Sequence, residues 1–158
     1  MTDSSITLSH IGICVSDLER SLRFYCEGLG FKEVQTYLVG NEYRKLLELD
    51  AEISLETRFL ARDGFSIELL HFRSPGHTGT AQRRPMNLLG FTHMNLRVGD
   101  VDAVIAAIRA YGGAVHDHTR TRIENAQGQV ETDVVYCNDP DGLRIEIYTS
   151  PYPAVRES

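Results

Sequence analysis

The chain has little cysteine, no excess of basic residues and no long apolar run. Its three cysteines, Cys14, Cys26 and Cys137, are an odd number without a close pairing motif, which indicates reduced thiols rather than a disulfide framework. A formal net charge of −6 without a basic run argues against nucleic acid as a partner. No apolar stretch has the length that a bilayer crossing needs, so no membrane partner is expected.

The composition is otherwise that of an ordinary globular protein, with 42% hydrophobic and 24% charged residues. A chain of 158 residues is expected to form one compact domain. The segment Met1–Ser5 is short and polar and does not resemble a secretory signal. These features together predict a cytoplasmic location.

The chain contains an internal repeat. The segment His10–Leu18 is matched by His93–Val101, and Asp63–Glu68 is matched by Asp141–Glu146, about 80 residues later in each case. Each half therefore opens with a histidine and closes with a glutamate. Two histidines and two glutamates that a repeat places in this way are a candidate set of metal ligands.

Hydrophobic periodicity predicts the same order in both halves, namely a strand, a helix and three strands. In the first half the strands are expected at Ile6–Val15, Phe31–Val39, Ser54–Ala61 and Phe65–Phe72, with a helix over Leu18–Leu29 and a tight turn at Asp63-Gly64. In the second half they are expected at Phe91–Val98, Ala114–His118, Glu131–Cys137 and Leu143–Thr149, with a helix over Val101–Tyr111. Proline and glycine mark 73–89 as a linker, so the predicted modules span 6–72 and 90–150. The stretch 40–51 fits either a helix or a strand.

Side chains alternate between the faces of a strand, which puts each histidine opposite an apolar face. His10 shares its face with Cys14, and His93 shares its face with Asn95 and Arg97. We therefore predict that Cys14, Asn95 and Arg97 contact a substrate. Arg97 would hold a carboxylate or phosphate, or else form an ion pair at the rim of the site. Cys14 would serve as a small filler rather than a nucleophile.

Glu68 and Glu146 each lie between two apolar residues, so each carboxylate points away from a hydrophobic face. If the two half-sheets curve toward each other, both glutamates meet His10 and His93 in one cleft. Two imidazoles and two carboxylates suit one divalent cation and leave positions for water or substrate. Nickel, cobalt, zinc, manganese and iron all accept this ligand set. Any one of the four residues alone is more often a hydrogen-bond partner, and the matched placement favours the metal site.

The sequence resembles the vicinal oxygen chelate superfamily from about Leu8 to Tyr148. The most specific matches are His10 with Asp17–Ser21 and Phe24-Tyr25, then Leu29-Gly30-Phe31, and Asp139–Gly142 running into Ile145-Glu146. The resemblance implies an α+β fold in which two tandem βαβββ modules form a curved, barrel-like mixed sheet around a metal. It also implies that His10, Glu68, His93 and Glu146 are the ligands, and that the chain forms a homodimer.

Glu68 at a fourth ligand position is similar to glyoxalase I and, less closely, to methylmalonyl-CoA epimerase. The resemblance thus implies a metal-dependent isomerase or epimerase that moves a proton on a carbon adjacent to a carbonyl, through a metal-stabilised enolate. Glu146 corresponds to the glyoxalase I base. Glu56 is the nearest match to a second carboxylate of the epimerase, and its alternative role is an ion pair with Arg58.

One position departs from the bacterial glyoxalase pattern, which carries an arginine four residues after the first histidine. Cys14 stands there in this chain, and its equivalent in the second half is Arg97, which argues against a glutathione adduct as substrate. The loop 83–87, with Arg83 and Arg84, would contribute to an anionic pocket or be simply solvated. Three alternatives stay open: a glyoxalase I-type lyase on a thiol adduct, an extradiol-type dioxygenase, and a non-enzymatic protein that binds a small molecule.

Overall fold

The computed structural model describes residues 6–149, and the chain divides into two compact units after Gly79. Each unit contains a mixed β-sheet with a helix packed on one face, as expected for the α+β fold. None of the helices within 6–149 has the length and the apolar run that a membrane crossing requires. The expectations for Met1–Ser5 and for Ser150, the last residue of the predicted second module, lie outside the described residues.

The first unit is built on a four-stranded sheet of order β1-β4-β3-β2. Its elements are β1 (Ile11–Cys14), α1 (Leu18–Leu22), a π-helical continuation (Arg23–Gly28), β2 (Lys32–Val39), a 3₁₀ turn (Asn41–Tyr43), α2 (Arg44–Leu47), β3 (Ser54–Arg62) and β4 (Phe65–Ser74). The edge strand β1 runs parallel to β4, and the other pairs are antiparallel.

A side-chain cap and an apolar face explain why α1 forms where it does. The Asp17 carboxylate accepts a hydrogen bond from the Arg20 backbone N–H at 3.0 Å and so satisfies one of the free donors of the first turn. Phe24 and Tyr25 are fully buried, as is Leu69 of β4. Complete burial of such side chains contributes about 1.5–3 kcal/mol each, which fixes the helix on this face of the sheet.

Two expectations for the first unit need correction. The strand predicted at Ile6–Val15 covers only Ile11–Cys14, because residues 6–10 have no ladder partner. The ambiguous stretch 40–51 is helical in two short turns, and it leaves α2 through Glu48 in the left-handed conformation. The turn predicted at Asp63-Gly64 is confirmed, with φ values of 51° and 80° that match the twist of a two-residue hairpin.

The second unit is built on a sheet of order β5-β9-β8-β6, with β7 also paired to β8. Its elements are β5 (Met94–Arg97), α3 (Val101–Ala110), β6 (Ala114–Val115), a 3₁₀ turn (Asp117–Thr119), β7 (Thr121–Glu124), β8 (Val130–Asn138) and β9 (Arg144–Thr149). Strand β5 is parallel to β9, as β1 is to β4. The Asp100 carboxylate accepts from Ala103 N–H at 3.0 Å, which repeats the capping of α1 by Asp17.

The strand predicted at Ala114–His118 covers only β6, and the additional strand β7 was not predicted. Both strands pair with β8, and the 3₁₀ turn lies between them. The Thr119 hydroxyl bridges this interruption, because it donates to the His116 carbonyl at 2.8 Å and accepts the Tyr136 N–H at 3.0 Å. The polar groups that a continuous ladder would pair are thus satisfied, and within 80–149 the helix is followed by four strands rather than three.

Candidate metal centre

In the first unit, His10 and Glu68 lie against each other. His10 directly precedes β1, and its Nε2 lies 3.2 Å from Glu68 Oε2. Its Nδ1 lies 2.9 Å from the Ser9 Oγ. Glu68 is paired with Gly12 in the parallel ladder, so the alternation of faces directs both side chains to the same side. The ring of Phe59 packs edge-on against the His10 imidazole, with 4.9 Å between the ring centroids.

In the second unit, His93 and Glu146 repeat this arrangement. His93 directly precedes β5, and its Nε2 lies 3.8 Å from Glu146 Oε2. Its Nδ1 lies 3.0 Å from the Thr92 Oγ1. The ring of Tyr136 approaches the imidazole at 5.7 Å, in the place that Phe59 takes in the first unit.

The donor set fits a divalent metal. In both units a hydroxyl group lies within hydrogen-bond distance of Nδ1, and Nε2 faces the glutamate. A hydrogen bond at one ring nitrogen orients the imidazole, and orientation of this kind supports metal-ligating histidines. Among residues 6–149, no group of three or more His, Cys, Asp or Glu side chains is arranged to hold a metal.

Two polar side chains from neighbouring strands surround Glu146. Asn95 on β5 is directly opposite Glu146 and donates from Nδ2 to Oε1 at 2.7 Å. Tyr136 on β8 is also directly opposite Glu146 in the ladder. Burial raises the pKa of the Tyr136 phenol, and the nearby Glu146 carboxylate raises it further. The phenol therefore remains a neutral donor at neutral pH.

Sequence analysis alone did not identify Tyr136. The signal that points to it is the ladder register, in which Phe59 pairs with Glu68 as Tyr136 pairs with Glu146. The repeat thus places an aromatic ring beside each glutamate, and only the ring of the second unit carries a hydroxyl.

The other predicted substrate contacts lie on the same faces as the histidines of their own units. Arg97 is exposed and is paired with Tyr148 of β9, two residues beyond the Asn95 pairing. Cys14 is exposed and is paired with Leu70 of β4, two residues beyond Gly12. Their predicted contacts with a substrate stay predictions.

Glu56 lies on the opposite face of the first sheet from Glu68. Glu56 pairs with His71, and Glu68 pairs with Phe59. Glu56 and Phe59 are three positions apart on β3, so they point to opposite faces, and Glu56 lies on the face that carries the helix. Arg58 donates to its carboxylate from Nε at 2.9 Å, and Arg73 also forms an ion pair with it. These contacts lower the pKa of Glu56, chiefly through the Arg58 hydrogen bond. The ion pair with Arg58 is therefore the role that the geometry supports.

Glu56, His71 and Arg73 line a depression of about 340 Å³ at the start of α1. The depression is on the helix-bearing side of the first sheet, so it is distinct from the face that carries His10 and Glu68.

A family model for the glyoxalase/bleomycin resistance protein/dioxygenase superfamily matches residues 7–147. The chain belongs to this superfamily. The matched residues include all four candidate ligands, and the expected resemblance to vicinal oxygen chelate proteins is confirmed at this level.

Three known proteins illustrate what the chain is similar to. A probable lactoylglutathione lyase of Synechocystis is 31% identical over 142 residues, which cover 89% of this chain and 92% of the relative. The crystal structure of a glyoxalase family protein from Bacillus cereus superposes with a TM-score of 0.77 at 19% identity, over 94% of this chain and 97% of that one. The fosfomycin resistance protein FosX from Listeria monocytogenes, solved with Mn(II) and sulfate, has a TM-score of 0.56 at 19% identity, over 91% and 92% of the chains. The two structures support the superfamily fold.

Proposed function

We propose that this superfamily member is a metal-dependent isomerase or epimerase that moves a proton on a carbon adjacent to a carbonyl. His10, Glu68, His93 and Glu146 are the proposed ligands of one divalent ion. The observation that carries the proposal is the repeated histidine–glutamate pair, in which each imidazole Nε2 faces a carboxylate and each Nδ1 is engaged by a hydroxyl.

A divalent metal, when bound, supplies a Lewis acid that polarises the substrate carbonyl and makes the adjacent C–H more acidic. Glu146 is the proposed base, which removes the proton from this carbon and returns it. Asn95 engages Oε1 of Glu146, and Oε2 is the oxygen that faces His93. The Asn95 hydrogen bond holds the carboxylate in one orientation, which supports transfer over a short and fixed path.

Metal content tests the ligand set. Wild-type protein is expected to bind one divalent ion per chain, and His93→Ala is expected to lose most of it, because the substitution removes one of the four donors. His77→Ala is the matched control, since His77 is an exposed histidine that no ligand prediction includes. Elemental analysis after dialysis measures both. Equal metal content in wild type and His93→Ala would remove His93 from the site.

Exchange in heavy water tests the reaction. Metal-loaded protein is incubated with 2-oxo, acyl-CoA and ketocyclitol compounds, and NMR follows deuterium uptake at the α-carbon. Wild type is expected to catalyse uptake into one class. A Glu146→Gln variant that retains its metal is expected to be slower by roughly 10²- to 10⁴-fold, since the general base is lost. No uptake across the panel, with metal bound, would rule the proton transfer out.

A glyoxalase I-type lyase is the second candidate, and the 31% identity to a probable lactoylglutathione lyase favours it. This reading predicts turnover of methylglyoxal together with a thiol, measured as thioester absorbance. A panel of thiols separates the candidates, because an isomerase of carbonyl compounds needs no thiol.

A further inference from the structure

A pair of arginine side chains lies next to the His93–Glu146 pair in the second unit. Arg144 is the first residue of β9 and is only 7% exposed. It precedes Glu146 by two positions, so the alternation of faces places both on the same side of the sheet. The Arg144 Cζ lies 5.7 Å from the centroid of the Tyr136 ring.

Two anchor points bring Arg83 to this face of the sheet. At Gly142, where φ is 87°, the Ala81 backbone passes so close that a Cβ would overlap it. Arg144 donates to the Arg84 carbonyl at 2.6 Å. Arg83 lies between these anchors and is half-buried. Its Nε is buried without a hydrogen-bond partner, as is the Nε of Arg144.

Neither of these guanidinium groups forms an ion pair with any acidic residue in the described part of the chain. This differs from Arg58 and Arg120, which are each bound to a buried carboxylate. Burial lowers the pKa of Arg83, and the neighbouring Arg144 lowers it further. Cys137 is nearby but supplies no negative charge at neutral pH, because burial raises the pKa of its thiol to about 11.

Buried donors without partners are rare in proteins, and a buried charge without a counter-charge costs several kcal/mol. Two such cations held side by side form an arrangement that an oxyanion would stabilise, since a carboxylate or phosphate accepts hydrogen bonds from both guanidinium groups. We propose that Arg83 and Arg144 bind an oxyanion, the carboxylate or phosphate group of an anionic substrate.

The Tyr136 ring relates this oxyanion site to the candidate metal ligands. The Arg144 Cζ lies 5.7 Å from the centroid of the Tyr136 ring. The centroid of the His93 imidazole lies 5.7 Å from the same point. Arg144 and His93 thus contact the same aromatic ring, which places an anion on the arginines in the neighbourhood of the His93–Glu146 pair. The assignment of this anion to a substrate rests on the proposed function. The substrate class is then a small keto compound that carries an acidic group a few bonds from its carbonyl.

Thermal unfolding with added anions tests the site. The full-length protein is titrated with inorganic phosphate and, separately, with acetate, against chloride at matched ionic strength. A binding anion at ~100 times its Kd is expected to raise the wild-type Tm by roughly 5 to 10 °C in a saturable manner. Arg83→Gln is expected to weaken binding at least ~10-fold, because a charge-assisted hydrogen bond is lost. Arg122→Gln, which removes the same charge from an exposed strand position, is expected to respond as wild type.

Two further measurements are the Tm of the variant in chloride and the anion response after metal removal. In chloride, Arg83→Gln is expected to have a Tm equal to or above that of wild type, because it removes an uncompensated cation. After EDTA treatment and dialysis, the wild-type response is expected to persist. Persistence shows that the anion binds the arginines rather than a metal, so this proposal can hold or fail independently of the proposed function. A saturable response to phosphate alone assigns a phosphorylated substrate, and one to acetate alone assigns a carboxylate. No saturable response in wild type, an unchanged response in Arg83→Gln, or loss of the response with EDTA would overturn the proposal.

Discussion

Glu146 is the residue on which the proposed chemistry most depends, and its carboxylate is flanked from two strands. Asn95 donates to it from β5, and the Tyr136 phenol lies beside it from β8. In the first unit Glu68 faces His10 and the hydroxyl-free ring of Phe59. The two glutamates are therefore not equivalent, and the difference supports Glu146 as the base.

Tyr136→Phe tests this difference at the level of one hydroxyl group. Metal affinity or catalytic rate is expected to fall roughly 10- to 100-fold, because a neighbour of the proposed ligand Glu146 loses its hydroxyl while the ring remains. Steady-state kinetics and metal titration measure the effect, and the Tm is expected to stay near that of wild type. Tyr111→Phe, at the end of α3, serves as the control. Equal losses in the two variants would show that the Tyr136 hydroxyl has no specific role.

At the scale of secondary-structure elements, Arg120 lies between β6 and β7 and links this segment to α3 and β8. Its Nε and one terminal nitrogen donate to the two oxygens of buried Asp133 at 2.9 and 2.7 Å. Its other nitrogen donates to Asp102 of α3 at 2.7 Å. One arginine thus links α3 and β8 to the segment between β6 and β7.

Arg120→Ala is expected to lower the free energy of unfolding by about 3 kcal/mol, because it leaves the Asp133 carboxylate buried without a partner. Urea denaturation measures the change. Arg122→Ala is the matched control, because the Arg122 side chain is exposed and its ion pair with Glu124 is long, at 3.6 Å. This variant is expected to change the free energy of unfolding by at most about 0.5 kcal/mol. A loss below 1 kcal/mol in Arg120→Ala would contradict a structural role for this link.

The same link predicts a pH dependence. The hydrogen bonds from Arg120 hold the pKa of Asp133 below its usual value of 3.8. Because the folded-state pKa is lowered, the stabilisation is fully present above about pH 4 and is lost as the pH falls through the folded-state value. The stability difference between wild type and Arg120→Ala should therefore shrink between pH 7 and pH 3. A constant difference over this range would show that the Asp133 charge does not contribute.

The two Asp-Gly turns give a comparison within one chain. Gly64 has a φ of 80° and open space around the position of a Cβ, so Gly64→Ala is expected to cost about 1 kcal/mol from backbone strain alone. Gly142 has a φ of 87° and meets the Ala81 backbone, so Gly142→Ala is expected to cost at least about 3 kcal/mol. Chemical denaturation of both variants measures the difference. Similar costs would mean that the segment around Ala81 does not pack on this turn.

At the scale of the whole molecule, the proposed metal site predicts a thermodynamic coupling between the two repeats. If the four proposed ligands hold one ion, saturating metal is expected to raise the wild-type Tm by roughly 5 to 10 °C. His10→Ala and His93→Ala are each expected to lose most of this shift, and the double variant to lose no more than either one. Calorimetry with and without metal measures this. Additive losses, with half the metal content in each single variant, would indicate two independent sites.

The homodimer remains a prediction at this scale, and sedimentation of the metal-loaded protein tests it. A monomer under those conditions would contradict it.

Much of the fold could be predicted because it depends on neighbours in the chain. The turn Asp63-Gly64 acts over a few residues, and the alternation of strand faces puts His10 and Glu68 on one side of their sheet. The 3₁₀ turn and β7 that follow β6 could not be predicted, because they depend on Thr119 meeting the backbone of a distant strand.

The sequence by itself determined the repeat, the order of most elements and the four residues proposed as ligands, since these follow from local periodicity and matched spacing. Only the tertiary structure decided which residues surround them. Tyr136 reaches Glu146 through the pairing of β8 with β9, and Arg83 reaches Arg144 across a segment folded back over Gly142. Such contacts depend on strand register and on the burial of charge, which no local pattern in the sequence encodes.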